Sequence, residues 1–385
     1  MSTNKQSGSS QVLVIGTGPA GCAAAIVLAR AGVDVAMVDR AQFPRDKTCG
    51  DAVSNGAMAL LDGLGAGDDI RGGAHALVHR GAAIFPDGTR IDRGYEQPGY
   101  LVTRLRLDDC IRRAAERAGV RVMEGTRVAT LRMRDGMVCG ADGPQLDWSA
   151  RVVIAADGYG SVALPALDRP APRGRYLGVS STLYCKGVRF PYGTETADHF
   201  FERQLPYGYA WIFPEVDGIA NIGVYQRQDA YRHIGRPLAQ VLEDFIVRHP
   251  DRFANIERVG KARTWSLPLA PTPWPAGGRG ILLAGDAGGF VDPLTGEGIW
   301  QALFTGMAAG RVAADALNEP GTLTPEHCAR FEAECDEHIG RPSRGKSFGQ
   351  LAMRWLVGAG LYQAPTVRAA LRWAYARRSF EMTKS

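Results

Sequence analysis

Residues 11–39 read QVLVIGTGPAGCAAAIVLARAGVDVAMVD, and this stretch decides the fold of the chain. The apolar run 11–15 predicts a buried strand, the alanine-rich segment 22–31 a helix, and 33–38 a second strand. Strand, helix and strand in this order form a βαβ unit, which is typical of a doubly wound parallel sheet. The chain therefore opens with half of a Rossmann-like domain.

A glycine motif joins the first strand to the helix. Glycines at this spacing permit a tight turn, close approach of a pyrophosphate and close helix-strand packing. Asp39 ends the second strand, where a carboxylate can bind ribose hydroxyls. The motif predicts a site for the ADP half of FAD or NAD, formed by Gly16, Gly18, Pro19, Ala20, Gly21 and Asp39.

The remaining patterns predict an α/β (overall α+β) protein with three parts. Residues 10–70, 100–175 and 275–320 form a discontinuous FAD-binding domain, because helix and strand patterns over 107–155 and 280–317 return to the first sheet. Residues 71–99 and 176–274 form a substrate domain with an antiparallel sheet. Residues 321–385 form C-terminal helices, with breaks at Pro342 and Pro365.

Composition excludes several classes of protein. The 385 residues are 45% hydrophobic and 22% charged, as in a folded protein. A net charge of +5 without a basic stripe gives no support for nucleic-acid binding. Seven scattered cysteines and seven histidines show no metal-ligand spacing. Without a secretory signal or a transmembrane stretch, we expect a cytoplasmic location.

Two later motifs decide between the dinucleotides. Gly285-Asp286 follows a strand and precedes a helix, so that Asp286 can bind a sugar-like hydroxyl chain, although a capping aspartate in a turn is an equal alternative. Asp157-Gly158 follows the strand RVVIA, whereas the same pair at Asp142-Gly143 has the pattern of a hairpin turn. We assign Asp157 and Gly158 to the cofactor, and the whole set favours FAD over NAD.

These motifs, together with Arg104, resemble flavoproteins with the p-hydroxybenzoate hydroxylase fold. Within that fold the chain most resembles the geranylgeranyl reductase family, through FPRDKTCGD (43–51), YGYAWIFP (207–214) with Asn221-Ile-Gly223, and DPLTGEG (292–298). The resemblance implies that the Cys-Gly stretch lies beside the flavin and that the YxWxFP strand lines the substrate cavity. On the basis of this resemblance we assign ten residues to cofactor binding: Arg40, Cys49, Gly50, Asp51, Arg104, Val128, Pro293, Gly296, Gly298 and Ile299.

The catalytic candidates are Cys49, Tyr209, Trp211 and Phe213. The three aromatic residues alternate along one strand, so their side chains share a face and could form a wall over a flat ring or an isoprenoid chain. Ordinary core packing is an alternative for all three, and Cys49 could be a small filler residue. Related halogenases carry an active-site lysine, for which Lys47 remains a candidate.

The leading hypothesis is an FAD-dependent reductase of a carbon-carbon double bond in an isoprenoid or other apolar substrate, with NADPH, NADH or another donor as reductant. The alternative is a flavin-dependent monooxygenase or halogenase acting on an aromatic or biosynthetic intermediate. A flavin-binding scaffold or sensor is the third class. Aromatic and leucine side chains interleaved with arginines over 348–375 could form an interfacial helix pair that contacts a membrane, or helices that close the substrate domain.

Overall fold

The computed structural model describes residues 5–231, 235–318 and 323–377, with side chains described as far as 373. Its strands form two sheets. In chain order the strands are β1 (Gln6–Ile15), β2 (Val35–Val38), β3 (Ala52–Val53), β4 (Ala76–Ile84), β5 (Arg90–Leu101), β6 (Arg121–Met123), β7 (Thr130–Arg134), β8 (Met137–Gly143), β9 (Leu146–Ala155), β10 (Leu177–Lys186), β11 (Thr196–Phe200), β12 (Gly208–Pro214), β13 (Ile219–Arg227), β14 (Glu257–Pro268), β15 (Gly277–Gly278) and β16 (Ile281–Leu283).

Helices of the described part cover the first sheet, connect the strands and form the C-terminal region. They are α1 (Pro19–Arg30), α2 (Asn55–Leu64), α3 (Gly67–Arg71), α4 (Arg104–Arg117), α5 (Gln228–Tyr231), α6 (Leu238–Arg248), α7 (Pro250–Phe253), α8 (Ile299–Leu317), α9 (Pro325–Cys335), α10 (Arg341–Gly358) and α11 (Pro365–Arg377). None of these helices is both long and apolar enough to cross a lipid bilayer.

The first sheet has the strand order β15-β16-β9-β1-β2-β6, and the β7-β8 pair joins it along β9. β1 pairs in parallel with β2 and β9, as the βαβ pattern predicts. The carboxyl ends of β1, β9 and β16 therefore meet at one edge, where Gly16, Ala156 and Ala284 follow directly. Ligands of open α/β sheets bind at this edge.

Helices α1 and α8 pack directly against each other over the first sheet. Their approach is close because α8 carries glycines at the contact: a Cβ on Gly306 would lie 2.1 Å from the carbonyl oxygen of Ala20. Close packing anchors the N-termini of both helices near the carboxyl edge of the sheet. Both N-termini then present unpaired amides to the same space.

The second sheet has the order β14-β10-β13-β12-β11-β4-β5-β3. It is antiparallel, as expected, except that β11 pairs in parallel with β4. β9 is one continuous strand that pairs with β8 in an antiparallel hairpin and with β1 in the parallel sheet. The mixed α/β class with two sheets and a helical C-terminus is confirmed, whereas the domain limits stay a prediction.

The predicted helix break at Pro342 is wrong. Residues 336–340 form a π-helical turn between α9 and α10, and the helical path continues through Pro342. Pro342 has no N–H to donate to the preceding turn, and that turn is the π-helical one. The break at Pro365 is confirmed, since α11 begins there after a short 3-10 turn at Leu361–Gln363.

Candidate active site

A cavity of about 1290 Å³ extends from the carboxyl edge of the first sheet to the inner face of the second. Pockets for a single small ligand are commonly about 300–1,000 Å³, so this one has room for a cofactor and a substrate together. Most of the residues assigned from the sequence line it: Gly16, Gly18, Pro19, Ala20, Asp39, Arg40, Cys49, Gly50, Arg104, Val128, Asp157, Gly158, Tyr209, Trp211, Phe213, Gly285, Asp286, Gly296, Gly298 and Ile299.

The glycine turn shapes the end of the cavity at the first sheet. Gly16 adopts a φ of +99°, and a Cβ there would lie 2.4 Å from the carbonyl oxygen of Ala156. Gly18 has open space on its Cβ side, where the nearest atom is an Arg45 Nη at 3.7 Å. α1 begins at Pro19, so its N-terminal amides face the open space and favour an anion.

Two carboxylates frame the same end. Asp39 accepts hydrogen bonds from the backbone N–H groups of Thr17 and Ala41, both at 2.8 Å, which fixes it beside the glycine turn. Asp157 accepts from the N–H of Val162 at 2.9 Å, while its Oδ1 is buried without a partner among the described residues. Burial raises the pKa of Asp157. An unpartnered buried acceptor beside an open cradle fits hydroxyl groups of a bound nucleotide.

Basic side chains occupy the middle of the cavity. Arg104 forms a two-pronged hydrogen bond with Asp108, with both distances at 2.7 Å, and Arg45 lies 2.9 Å from the same carboxylate. Lys47 lies 3.3 Å from Asp286. These cations suit the pyrophosphate of FAD, and Lys47, the candidate for a halogenase lysine, is held by an ion pair.

The aromatic residues of β12 form a wall at the end of the cavity next to the second sheet. Tyr209 and Trp211 have ring centroids 5.9 Å apart, and Trp211 stacks with Phe213 at the same distance. The Tyr209 hydroxyl donates to the carbonyl oxygen of Thr295, which ties the wall to the loop before α8. The wall can therefore hold a flat or elongated apolar group in one position.

Cys49 lies where this wall meets the rest of the cavity. Gly50 faces the wall closely, since a Cβ on it would lie 3.5 Å from Phe213 and 3.6 Å from Trp211. Burial raises the pKa of the Cys49 thiol, so the group stays protonated at neutral pH. A protonated thiol suits a proton donor or a packing residue better than a nucleophile.

Three assigned residues do not line the cavity. Gly21 packs against the turn, where a Cβ would lie 1.8 Å from the carbonyl oxygen of Gly16. The carbonyl oxygen of Pro293 accepts from the Tyr225 hydroxyl at 2.9 Å and from Gln350. The Asp51 side chain lies in a buried polar cluster with Tyr184 and Asn221, so its assignment to the cofactor stays a prediction.

The sequence motifs missed several cavity residues. His199 on β11 has its ring 5.2 Å from that of Phe213, and burial lowers its pKa, so it is neutral. Ser54 donates to Glu297 at 2.6 Å, which joins the start of α2 to the loop before α8. His199 lies within the alternating segment TADHFF (196–201), and this alternation was the only signal of it in the sequence. In the structure its strand, β11, pairs with the aromatic strand β12.

Asp142, the aspartate with the pattern of a hairpin turn, lies outside the cavity. Asp142 is at the end of β8, beside the turn to β9, and pairs with Arg132. It is not among the cavity residues. Neither does any group of three or more His, Cys, Asp or Glu in the described ranges have the arrangement of a metal site.

Comparison with known proteins agrees with this geometry. A model of the FAD binding domain matches residues 9–192. The chain is 34% identical over 340 residues to a menaquinone reductase of Mycobacterium tuberculosis, with 80% of this chain and 77% of the relative covered. It is 30% identical over 355 residues to digeranylgeranylglycerophospholipid reductase 2 of Methanosphaera stadtmanae, with 86% and 84% covered.

A solved structure gives the same result for the fold. The geranylgeranyl bacteriochlorophyll reductase-like protein of Thermoplasma acidophilum superimposes with a TM-score of 0.82 at 23% identity, over 92% of this chain and 90% of that one. The fold, the cavity and these relatives define an FAD-dependent oxidoreductase. Within that class, the chain belongs to the geranylgeranyl reductase family.

Proposed function

We propose that this protein reduces a carbon-carbon double bond of an isoprenoid or another apolar substrate. The observation that carries the proposal is the aromatic wall of Tyr209, Trp211 and Phe213, which lies in the same cavity as the glycine turn. FAD, when bound, supplies a hydride from its reduced ring. The relatives named for menaquinone and for a digeranylgeranyl lipid support a substrate with an isoprenoid chain.

In this proposal the chain's own residues position the cofactor. The open face of Gly18 and the amides of α1 receive the pyrophosphate, with Arg104 and Arg45 as nearby cations. Asp39 and Asp157 accept hydrogen bonds from nucleotide hydroxyls. Asp286, paired with Lys47, would bind the hydroxyl-bearing chain of FAD.

The substrate end excludes water and orients the double bond. Trp211 and Phe213 are 4% and 6% exposed, so the wall that they form is dry. Cys49 lines the cavity beside this wall. It is the candidate for the acid that would donate a proton to the substrate double bond. Positioning in a dry site contributes to the rate because it avoids solvent reorganisation.

The reductant in this proposal is NADPH, NADH or another electron donor. The test is anaerobic reduction of the purified holoprotein with each nicotinamide and with dithionite, followed by the flavin absorbance. Reduced protein is then mixed with menaquinone or geranylgeranyl diphosphate, and the product mass is measured. We expect a gain of two hydrogens that remains after any quinol has been reoxidised in air; a gain of oxygen or halogen in air would favour the monooxygenase or halogenase alternative.

We also propose that α10 and α11 contact a membrane surface, from which an apolar substrate enters. Phe348 and Trp355 on α10 are 72% and 65% exposed, and Trp373 on α11 is 60% exposed. Leu361, in the turn between the two helices, is 51% exposed, and Arg354 lies next to Trp355. Aromatic and leucine side chains beside arginines suit an interface with anionic lipid. A second cavity of about 420 Å³ beside α10 shares four lining residues with the first: Phe201, Tyr209, Leu294 and Met353.

Sedimentation with vesicles tests this surface. We expect the wild type to bind vesicles that contain phosphatidylglycerol and the double variant Phe348→Ser/Trp355→Ser to bind them less. Val247→Ser is the matched control, because Val247 is 76% exposed on α6. Equal binding of the double variant and the wild type would refute the assignment of this surface.

A further inference from the structure

Asn221 on β13 joins the turn at residues 49–51 to Trp211 of the aromatic wall. Its Nδ2 donates to the carbonyl oxygen of Cys49 at 2.9 Å and to Oδ2 of Asp51 at 3.0 Å. Its Oδ1 accepts from the indole Nε1 of Trp211 at 3.0 Å. Asn221 is fully buried, and both the oxygen and the nitrogen of its amide form hydrogen bonds. The turn at 49–51 and the aromatic wall are therefore joined through one side chain.

Asp51 holds the other end of this connection. It is fully buried, at a φ of +61° that non-glycine residues rarely adopt. Oδ2 accepts from the Tyr184 hydroxyl as well as from Asn221, while Oδ1 is buried without a partner among the described residues. A strained residue with an unsatisfied buried oxygen costs stability, which favours a functional explanation.

The groups that face Asp51 come from four elements or turns. Tyr184 lies on β10, Glu215 follows β12, Arg104 begins α4, and Cys49 precedes in the same turn. Burial raises the pKa of Asp51 to about 7, although the hydrogen bonds from Tyr184 and Asn221 act to lower it. Burial, with the nearby Asp51, raises the pKa of Glu215 to about 9. Near neutral pH, Glu215 is thus neutral while Asp51 changes its charge.

We propose that Asp51 is a positioning residue whose charge state sets, through Asn221, how firmly Trp211 is held against the Cys49-Gly50 turn. An ionised carboxylate accepts stronger hydrogen bonds than a neutral acid, so loss of the proton tightens the connection. The effect on catalysis rests on the proposed function, since the wall matters to turnover only if a substrate lies against it. The structural part of the inference is independent of substrate.

Spectroscopic titration of the holoprotein tests that part. The near-UV circular dichroism of Trp211, obtained as the difference from Trp211→Phe, is followed from pH 5 to 9. Infrared spectra over the same range follow the protonated carboxyl. We expect a step near neutral pH in both signals, separate from the deprotonation of Glu215 near pH 9, and no such step in Asp51→Asn, with Asp142→Asn as the matched surface control.

Tyr184→Phe is the second, milder variant. It removes a hydrogen bond that favours the charged carboxylate, so we expect the midpoint to move to higher pH. A purely structural role would lower the melting temperature without moving the midpoint. The proposal is overturned if Asp51→Asn keeps the wild-type step or if Tyr184→Phe leaves the midpoint in place.

The catalytic part of the inference is tested by comparing kcat/KM of Asn221→Ala with that of the wild type. With menaquinone or geranylgeranyl diphosphate, we expect Asn221→Ala to retain FAD and to lose up to about a hundredfold in kcat/KM, because the wall is misplaced. Unchanged kcat/KM in Asn221→Ala would overturn the catalytic part. If the wild type itself reduces neither compound, the proposed function fails, and the titration still decides the role of Asp51.

Discussion

Lys47 Nζ lies 3.3 Å from Oδ2 of Asp286, although the two residues are 239 positions apart in the chain. The ion pair joins the turn that carries Cys49 to the turn after β16. Both side chains are mostly buried, with 23% and 12% exposure, so the pair is screened less than a surface one. It fixes the two turns, both of which line the cavity, relative to each other.

Asp286→Ala is expected to weaken FAD binding or to change the flavin potential. The variant removes an acceptor that we propose binds FAD, and it removes the ion-pair partner of Lys47. FAD released on denaturation and the midpoint potential of the bound flavin are the measurements. Asp142→Ala, on the surface pair with Arg132, should change neither, and equal effects of the two variants would contradict the assignment.

Gly18→Val is expected to abolish FAD binding while the protein remains folded. The new side chain would enter the space in front of α1, where no protein atom lies closer than 3.7 Å to the Cβ position. Gly21→Val should instead reduce the folded yield, because its Cβ would overlap the backbone of Gly16. Absorbance of bound flavin and far-UV circular dichroism distinguish the two effects, and a yellow Gly18→Val protein would refute the site.

Trp211→Ala is expected to impair turnover much more than FAD content. Removing a large aromatic side chain that packs against substrate can cost about 3 kcal/mol, or roughly a hundredfold in kcat/KM. Trp211 also packs against Gly223 and donates to Asn221, so some loss of melting temperature accompanies the variant. A folded variant with normal specific activity would place Trp211 in the core alone.

Glu215→Gln is expected to make the protein more stable above neutral pH. The folded-state pKa is raised from 4.5 to about 9, so the neutral acid's contribution to stability is full below about 4.5 and is lost as the pH rises to about 9. Glutamine stays neutral throughout. We expect its melting temperature to exceed that of the wild type by at least about 2 °C at pH 8.5, with little gain at pH 5.

The exposed Glu257 on β14 provides the control for this stability test. Glu257→Gln should follow the wild-type dependence of melting temperature on pH. If Glu215→Gln also follows it, the carboxyl of Glu215 is not held neutral by its surroundings.

Local patterns were sufficient to predict the βαβ unit and the glycine turn at the edge of the first sheet. The strand, the glycine turn and Asp39 lie within 29 consecutive residues, and each has a backbone reason for its place. The alternation of Tyr209, Trp211 and Phe213 was likewise enough to place them on one face. In both cases the determining contacts are local.

The polar cluster around Asp51 could not be predicted, for a physical reason. Its partners Tyr184 and Asn221 are 133 and 170 residues away and belong to strands whose pairing is not encoded locally. A positive φ at an aspartate leaves no mark in composition. The parallel pairing of β11 with β4 was missed for a similar reason, because alternation gives the exposed face of a strand and not the direction of its neighbour.

The π-helical turn at 336–340 sets the rotational phase of the whole of α10. On one face of α10, Lys346 forms an ion pair with Asp292, and Gln350 donates a hydrogen bond to the carbonyl oxygen of Pro293. On the other face, Phe348 and Trp355 are exposed. Each residue advances an α-helix by about 100°, so deletion of one residue from the turn would rotate these two faces by that angle. Lys346 and Gln350 would then turn away from the loop before α8, and Phe348 and Trp355 would turn away from the exposed side, so the inserted turn keeps each set of side chains on its own face.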